Sequence, residues 1–125
     1  MNKFLEIGKW LKDWSTNKSR VGIPRNGWFG VEGMEIYLRV HKLENIPTID
    51  IATITIEKSL RGKGQFTEFL DWLIPFAKTY KFERIKAENV LDPRFRAFFL
   101  RRGFKQRCNQ SAPDEISPSY YLKLL

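Results

Sequence analysis

The stretch Ile54-Thr55-Ile56-Glu57-Lys58-Ser59-Leu60-Arg61-Gly62-Lys63-Gly64 joins the end of a predicted strand to the start of a predicted helix. Backbone N–H groups at a helix start converge on a small volume and carry partial positive charge. The glycines let a bulky anion approach the main chain, and Arg61 and Lys63 add charges that pair with phosphate oxygens. The stretch therefore predicts a phosphate-binding loop. Its spacing matches neither the nucleoside-triphosphate loop GxxxxGK[ST] nor the dinucleotide fingerprint GxGxxG.

The strand that leads into this loop has an irregular pattern. Ile49 and Ile51 occupy odd positions, whereas Ile54 and Ile56 occupy even ones, so the two-residue alternation changes phase near Ala52-Thr53. One extra residue in the strand, a β-bulge, produces such a change, and bulges often lie beside functional sites. A strand buried on both faces would also hide the alternation. The pattern favours the bulge.

Hydrophobic periodicity and capping residues predict the other elements. The predicted helices cover residues 3–15, a segment that begins near Phe66, and a segment that begins at Asp92-Pro93 and ends at Gly103-Phe104. The predicted strands cover residues 28–31, 34–42, 48–57, 82–88, 104–108 and 119–124. A strand, a helix and a strand in this order imply a parallel βαβ unit around the glycine loop.

Length and composition restrict the classes of protein. At 125 residues, one domain over residues 1–125 is expected. The single cysteine, Cys108, excludes an internal disulfide, and with one histidine it leaves no Cys/His set for a structural metal, so no metal is predicted. No apolar run approaches the ~18 residues that span a bilayer, and charges interrupt the amino-terminal segment. We therefore expect a cytoplasmic protein without a membrane partner.

The net charge of +8 indicates an anionic partner. Thirteen cations and five acids lie between Lys58 and Arg107, so this segment holds the whole formal excess of the basic chain. A phosphate-bearing ligand or a nucleic acid fits this distribution. The alternative is that many of these lysines and arginines only solvate helix faces.

Two segments of the chain resemble the Gcn5-related N-acetyltransferase (GNAT) superfamily. The stretch from Ile54 to Gly64 is similar to that family's donor-binding strand and loop, in which a Val-x-Pro pair precedes Arg-Gly-x-Gly; here Ile56 takes the Val position and Lys58 the Pro position. The segment from Asp92 to Phe104 resembles the family's later helix, which is led by Asn and ends in Tyr-x-x-x-Gly-Phe. The resemblance covers about residues 34 to 124. It implies an α+β fold with a mixed, mostly antiparallel sheet, a central βαβ unit and helices on both faces.

The resemblance also implies an N-acetyltransferase that uses acetyl-CoA and an amine acceptor that the sequence does not identify. Backbone groups of the strand would bind the pantetheine arm, the loop and first helical residues would wrap the pyrophosphate, and two further residues would lie near the pantetheine and the sulfur. In that order, the implied donor-binding residues are Ile54, Thr55 and Ile56; Arg61, Gly62, Lys63, Gly64, Gln65 and Phe66; and Asp92 and Phe99.

One departure from the family pattern bears on catalysis. Phe99 stands where the family has a tyrosine thought to protonate the leaving thiolate, and phenylalanine has no hydroxyl. Candidate general bases are Asp50 on the irregular strand and Glu35 or Tyr37 on its expected neighbour; the pattern does not choose among them, so the catalytic residues stay unassigned. The alternative hypothesis is a catalytically silent relative that binds CoA, a protein or nucleic acid. A monomer and a homodimer are both compatible with the sequence.

Overall fold

The protein is represented by a computed structural model that describes residues 2–17, 23–43, 45–60, 62–88, 93–107 and 119–124. The helices are α1 (Leu5–Thr16), α2 (Gln65–Thr79) and α3 (Pro93–Arg101), with a single 3-10 turn at Lys58–Leu60. The strands are β1 (Arg25–Val31), β2 (Met34–Leu43), β3 (Ile46–Ile56), β4 (Arg84–Ala87), β5 (Lys105–Arg107) and β6 (Ser119–Lys123). Each predicted helix and strand has a counterpart here, with ends within a few residues of those expected.

The six strands form one sheet in the order β1-β2-β3-β4-β6-β5. Among the described strands only the β3–β4 pair is parallel, and α2 makes the crossover between these two strands. All other neighbours are antiparallel. The predicted α+β class, the mostly antiparallel sheet and the central βαβ unit are confirmed.

One face of the sheet carries the apolar side chains. Leu38, Ile51, Ala87 and Tyr120 lie side by side on β2, β3, β4 and β6, and each is at most 3% exposed. A parallel row one step along the strands continues this apolar surface, and its buried members are Val40, Ile49 and Ile85. Strand side chains alternate between faces, so these rows define the core side.

All three helices pack against this core side. Trp10 of α1 meets Phe29 of β1 with ring centroids 5.3 Å apart. Phe4, just before α1, lies 5.5 Å from Phe69 of α2. Phe99 of α3 stacks on Tyr120 at 6.1 Å. Helices on both faces were expected; in the described ranges the helices instead share one face.

The residues on the opposite face of the sheet, which we call the polar face, explain why no described helix covers it. It carries Arg39 and His41 on β2, Asp50 on β3, Lys86 on β4 and Tyr121 on β6. These groups contact one another, and Lys86 lies 5.8 Å from the centroid of the Tyr121 ring. An apolar helix laid on this face would remove water from charged groups, which is unfavourable.

The predicted β-bulge is present in β3. Tyr37 pairs with Thr53 and the next residue, Leu38, pairs with Ile51, so Ala52 has no counterpart on β2. The side chains of Ile49 and Ile51 and, after the bulge, those of Ile54 and Ile56 therefore all lie on the core side. The phase change in the sequence and the extra residue in the strand are the same feature.

Candidate functional site

The strands β3 and β4 separate at the bulge and leave a fork in the sheet. The last link between them is the Glu88 N–H donating to the Ile51 carbonyl at 3.2 Å. Beyond it, β3 continues to Ile56, whereas β4 has ended at Ala87. The last five residues of β3 therefore have no pairing partner in the described part of β4.

The bulge turns the backbone of β3 at this fork. The Ile51 carbonyl accepts a hydrogen bond on the β4 side, whereas the Glu57 N–H donates to Gly33 on the β2 side at 3.0 Å. In a regular strand the backbone groups of successive residues point to alternate sides, so two odd-numbered residues would point to the same side. Ile51 and Glu57 point to opposite sides, because the bulge shifts this alternation by one residue. As a result, the main-chain groups of Ile54 and Ile56 are directed toward the fork, and those of Thr55 toward β2.

The glycine loop lies at the open end of this fork. Gly62 and Gly64 have φ angles of 80° and 76°, which L side chains rarely adopt. A Cβ placed on either glycine would meet no atom within 4 Å, so the space above the loop is open. Lys63 between them is exposed. Arg61, the other predicted phosphate ligand, lies outside the described residues.

The first turn of α2 continues the loop. Gly64 is the N-cap residue, and its carbonyl accepts the first intrahelical hydrogen bond, from Glu68 N–H at 2.9 Å. The N–H groups of Gln65, Phe66 and Thr67 precede that bond and have no acceptor within the helix. This is the geometry that favours an anion at a helix start.

Contacts with the β1–β2 turn fix the start of α2. The Gln65 amide donates to the Glu32 carbonyl at 2.7 Å. The Lys3 ammonium lies 3.1 Å from the Glu32 carboxylate and 2.6 Å from that of Glu68. Glu32 and Gly33 both have positive φ, so the tight turn brings its backbone close to the helix. The loop is therefore attached to the sheet edge and to the chain ahead of α1.

An aromatic cluster occupies the space between α2 and α3. Phe66 lies 5.5, 5.3 and 5.6 Å from Phe95, Phe98 and Phe99, measured between ring centroids. Phe66 and Phe99 are 6% and 3% exposed. The Phe66 side chain therefore belongs to the core, and only its backbone can contribute to an anion site. Asp92 lies outside the described residues, so the structure does not locate this predicted pantetheine contact.

A cluster of ionisable groups lies at the fork on the polar face. Asp50 precedes the bulge by two residues and is 2% exposed. Its Oδ2 lies 3.8 Å from His41 Nε2, and in the described part of the chain its Oδ1 has no hydrogen-bond partner. Burial and the neighbouring carboxylate of Glu88 raise the pKa of Asp50 to about 7, against the charges of Lys86 and Arg39. Burial and the charge of Lys86 lower the pKa of His41.

The other two candidate bases differ from Asp50. Glu35 is exposed, and Tyr37 is half-buried between the ring of Trp28, at 4.4 Å, and the guanidinium of Arg39, at 5.3 Å from its centroid. The sequence patterns predicted neither Glu88 nor His41 as a site residue. Neither had a local signal, because β-sheet pairing alone brings them to Asp50.

The described ranges hold neither a metal-ligand cluster nor a membrane-spanning helix. No three His, Cys, Asp or Glu side chains among them come together as a metal site would require. Nor does any helix in those ranges have the length and apolar character needed to cross a membrane.

Comparison with solved structures identifies the fold. An acetyltransferase of the GNAT family from Staphylococcus aureus is 18% identical, with a TM-score of 0.53 over 74% of this chain and 69% of that one. AtaTR bound with AcCoA is 16% identical, with a TM-score of 0.53 over 73% and 57%. The KacTA–DNA complex is 16% identical, with a TM-score of 0.57 over 96% and 80%. No protein-family model and no curated protein sequence matches the chain. The chain therefore has the GNAT fold, as the two sequence segments predicted.

Proposed function

We propose that this protein is an N-acetyltransferase that binds acetyl-CoA in the fork between β3 and β4. The observation that carries the proposal is the open glycine loop at the start of α2, next to a strand whose backbone turns toward the fork. The pyrophosphate would bind the N–H groups of Gly62 to Phe66 and the Lys63 ammonium. The pantetheine arm would lie along Ile54 to Ile56 as an extra strand does. The AcCoA bound to AtaTR supports this choice of donor.

Asp50 is the general base that best fits this proposal. An acceptor amine must lose a proton when it attacks the thioester, and a base is most effective when its pKa is near the working pH. Asp50 has a pKa of about 7 and lies two residues from the bulge. The amine would approach from the polar face, where no described helix covers the fork. The thiolate product would be protonated by water, because Phe99 has no acidic hydrogen.

The donor site is tested by reversing one charge in the loop. Lys63→Glu should weaken acetyl-CoA binding by at least about tenfold, because it places a carboxylate beside the pyrophosphate. Isothermal titration calorimetry measures this dissociation constant directly.

Lys78→Glu is the matched control for that experiment. Lys78 is also exposed, lies in the last turn of the same helix and changes the net charge equally. We expect its affinity for acetyl-CoA to stay within about twofold of the parent. Equal losses in both variants, or no binding by the parent protein, would contradict the loop assignment.

A catalytically silent binding protein is the second candidate. Phe99 replaces the family's acidic tyrosine, and the phenylalanine cluster fills the space between α2 and α3. The basic segment and the KacTA–DNA complex favour nucleic acid as its ligand. Release of free thiol from acetyl-CoA across a panel of amines supports the transferase. Nucleic-acid binding that weakens steeply with salt and persists in Lys63→Glu, without thiol release, supports the second candidate.

A further inference from the structure

An open cavity of about 410 Å³ lies on the sheet beside the edge strand β1, and the donor site does not use it. Its lining consists of Trp28, Phe29, Gly30 and Glu35. Trp28, Gly30 and Glu35 belong to the polar face, because Trp28 pairs with Tyr37 and Gly30 pairs with Glu35. The cavity therefore opens on the side from which the acceptor would approach.

The cavity exists because Gly30 has no side chain. Trp28 and Gly30 are two residues apart, so a side chain at position 30 would stand next to the Trp28 ring. A Cβ placed there meets no atom within 4 Å, and Gly30 is not among the glycines with positive φ. The backbone would accept an ordinary strand residue, so neither strain nor crowding requires this glycine.

The walls of the cavity suit an organic cation. Trp28 is 63% exposed, although its ring is held by stacking on Tyr37. The face of an indole ring attracts ammonium and guanidinium groups, and tryptophan is the best aromatic residue for this contact. Glu35 adds a carboxylate, and among the described residues it has no ion pair.

The distance to the fork links the cavity to the reaction. Trp28 pairs with Tyr37, which pairs with Thr53 directly after the bulge. Two strand spacings, about 10 Å, therefore separate Trp28 from β3, and the fork lies on the far side of β3. Asp50 pairs with Arg39, which is four residues along β2 from Glu35, so Glu35 and Asp50 are about 14 Å apart along and across the strands. An extended molecule can span this distance with one group in the cavity and another at Asp50.

We infer that the cavity binds a second, unreactive cationic group of the acyl acceptor, which makes the preferred acceptors diamines. This inference rests on the proposed function only for the position of the reacting amine. Binding of the distal ammonium by Trp28 and Glu35 does not require acyl transfer. In this arrangement the Glu35 carboxylate binds the distal ammonium and does not act as the base, which remains Asp50.

The test compares unbranched diamines of increasing length with monoamines of the same length. In calorimetry without donor, diamines should bind at least about tenfold more tightly than the matched monoamines. Gly30→Val fills the cavity, and Glu35→Gln removes its charge. Each should abolish the preference for diamines and leave the acetyl-CoA dissociation constant unchanged. In turnover assays, KM for diamines should rise in both variants while kcat changes little.

Glu6→Gln is the control, since Glu6 is an exposed acid on α1 and is remote from the polar face. It should retain the diamine preference. Equal binding of diamines and monoamines by the parent, or an unchanged preference in Gly30→Val, would overturn the inference. A diamine preference without thiol release would support the cavity and contradict the proposed transferase, so the two failures are distinguishable.

Discussion

At the scale of single residues, the fold buries the Asp50 carboxyl group among charged neighbours. This carboxyl group lies on the polar face, and its charged or titratable neighbours are Glu88, Lys86, Arg39 and His41. Burial disfavours the ionised form, and the nearby Glu88 carboxylate adds to this effect. The two cations oppose it without cancelling it, since the pKa still rises to about 7. At neutral pH, a fraction of the molecules therefore carry a protonated Asp50.

This shift predicts how stability depends on pH. Between about pH 4 and pH 7, native Asp50 keeps a proton that the unfolded chain has lost, so the free energy of unfolding should fall as pH rises. Asp50→Asn cannot ionise and lacks this contribution. Urea denaturation across this range should show that the free energy of unfolding of the variant rises relative to that of the parent, by a few kcal/mol in total.

The pKa of His41 is lowered, so its titration makes the free energy of unfolding rise with pH, opposite to the effect of Asp50. His41 is present in both proteins, so subtracting the free energy of unfolding of the parent from that of the variant limits its contribution. A difference that stays constant with pH would contradict the raised pKa of Asp50. If Asp50 is also the base, the acyl-transfer rate of the parent should rise with pH through about 7. Asp50→Asn should lose about 10²-fold or more of that rate.

At the scale of elements, the end of α3 illustrates how local residues define a boundary. Gly103 has φ 89°, the Gly103 N–H donates to Leu100 at 3.1 Å, and the Phe104 N–H donates to Phe99 at 3.0 Å. These are the two hydrogen bonds of a Schellman cap. The Phe99 and Phe104 rings meet at 4.9 Å, which supplies the hydrophobic contact that accompanies it. The predicted end of this helix at Gly103-Phe104 is confirmed.

Gly103→Ala should lower the free energy of unfolding by about 1–2 kcal/mol, because alanine is strained at positive φ. Gly30→Ala is the comparison, since Gly30 lies in a strand without positive φ and with open space around it. Its free energy of unfolding should stay unchanged or rise by up to about 1 kcal/mol. Guanidinium denaturation of both variants tests the cap; similar effects would argue against it.

At the scale of the whole molecule, aromatic side chains connect the helices with the sheet. Phe66 contacts rings on α2 and α3, and one of these rings, Phe99, also contacts Tyr120 of β6. On the other side of α2, Phe4 lies 5.2 Å from Trp72, and Trp14 stacks on Phe82 at 5.7 Å. The core therefore extends from α1 to α3 without interruption.

Phe66→Ala should cost about 3–5 kcal/mol, because it leaves a cavity where several rings meet. Leu100→Ala, on the exposed side of α3, should change stability by less than about 0.5 kcal/mol. Thermal unfolding of the two variants measures the contrast. If both have the same small effect, the cluster between α2 and α3 is not packed as described.

Much of the fold was predictable because its signals are local. The phase change at Ala52-Thr53, the glycines of the loop and the cap at Gly103 each depend on a few neighbouring residues. Backbone conformation at such positions is restricted mainly by the residues themselves. The order of strands and helices followed from the same short-range patterns. The glycine loop of the candidate site belongs to this class.

Other features depend on contacts between segments that are distant in the chain. Pairing of β2, β3 and β4 brings Asp50, His41 and Glu88 together, and pairing of β1 with β2 places Gly30 beside Glu35. The register of a sheet also decides which strand face the helices cover. Residue patterns thus specify the elements and the glycine loop, whereas the charged fork, the uncovered face and the cavity beside β1 arise only when the strands assemble. The reason is that burial and charge proximity are properties of neighbours in space.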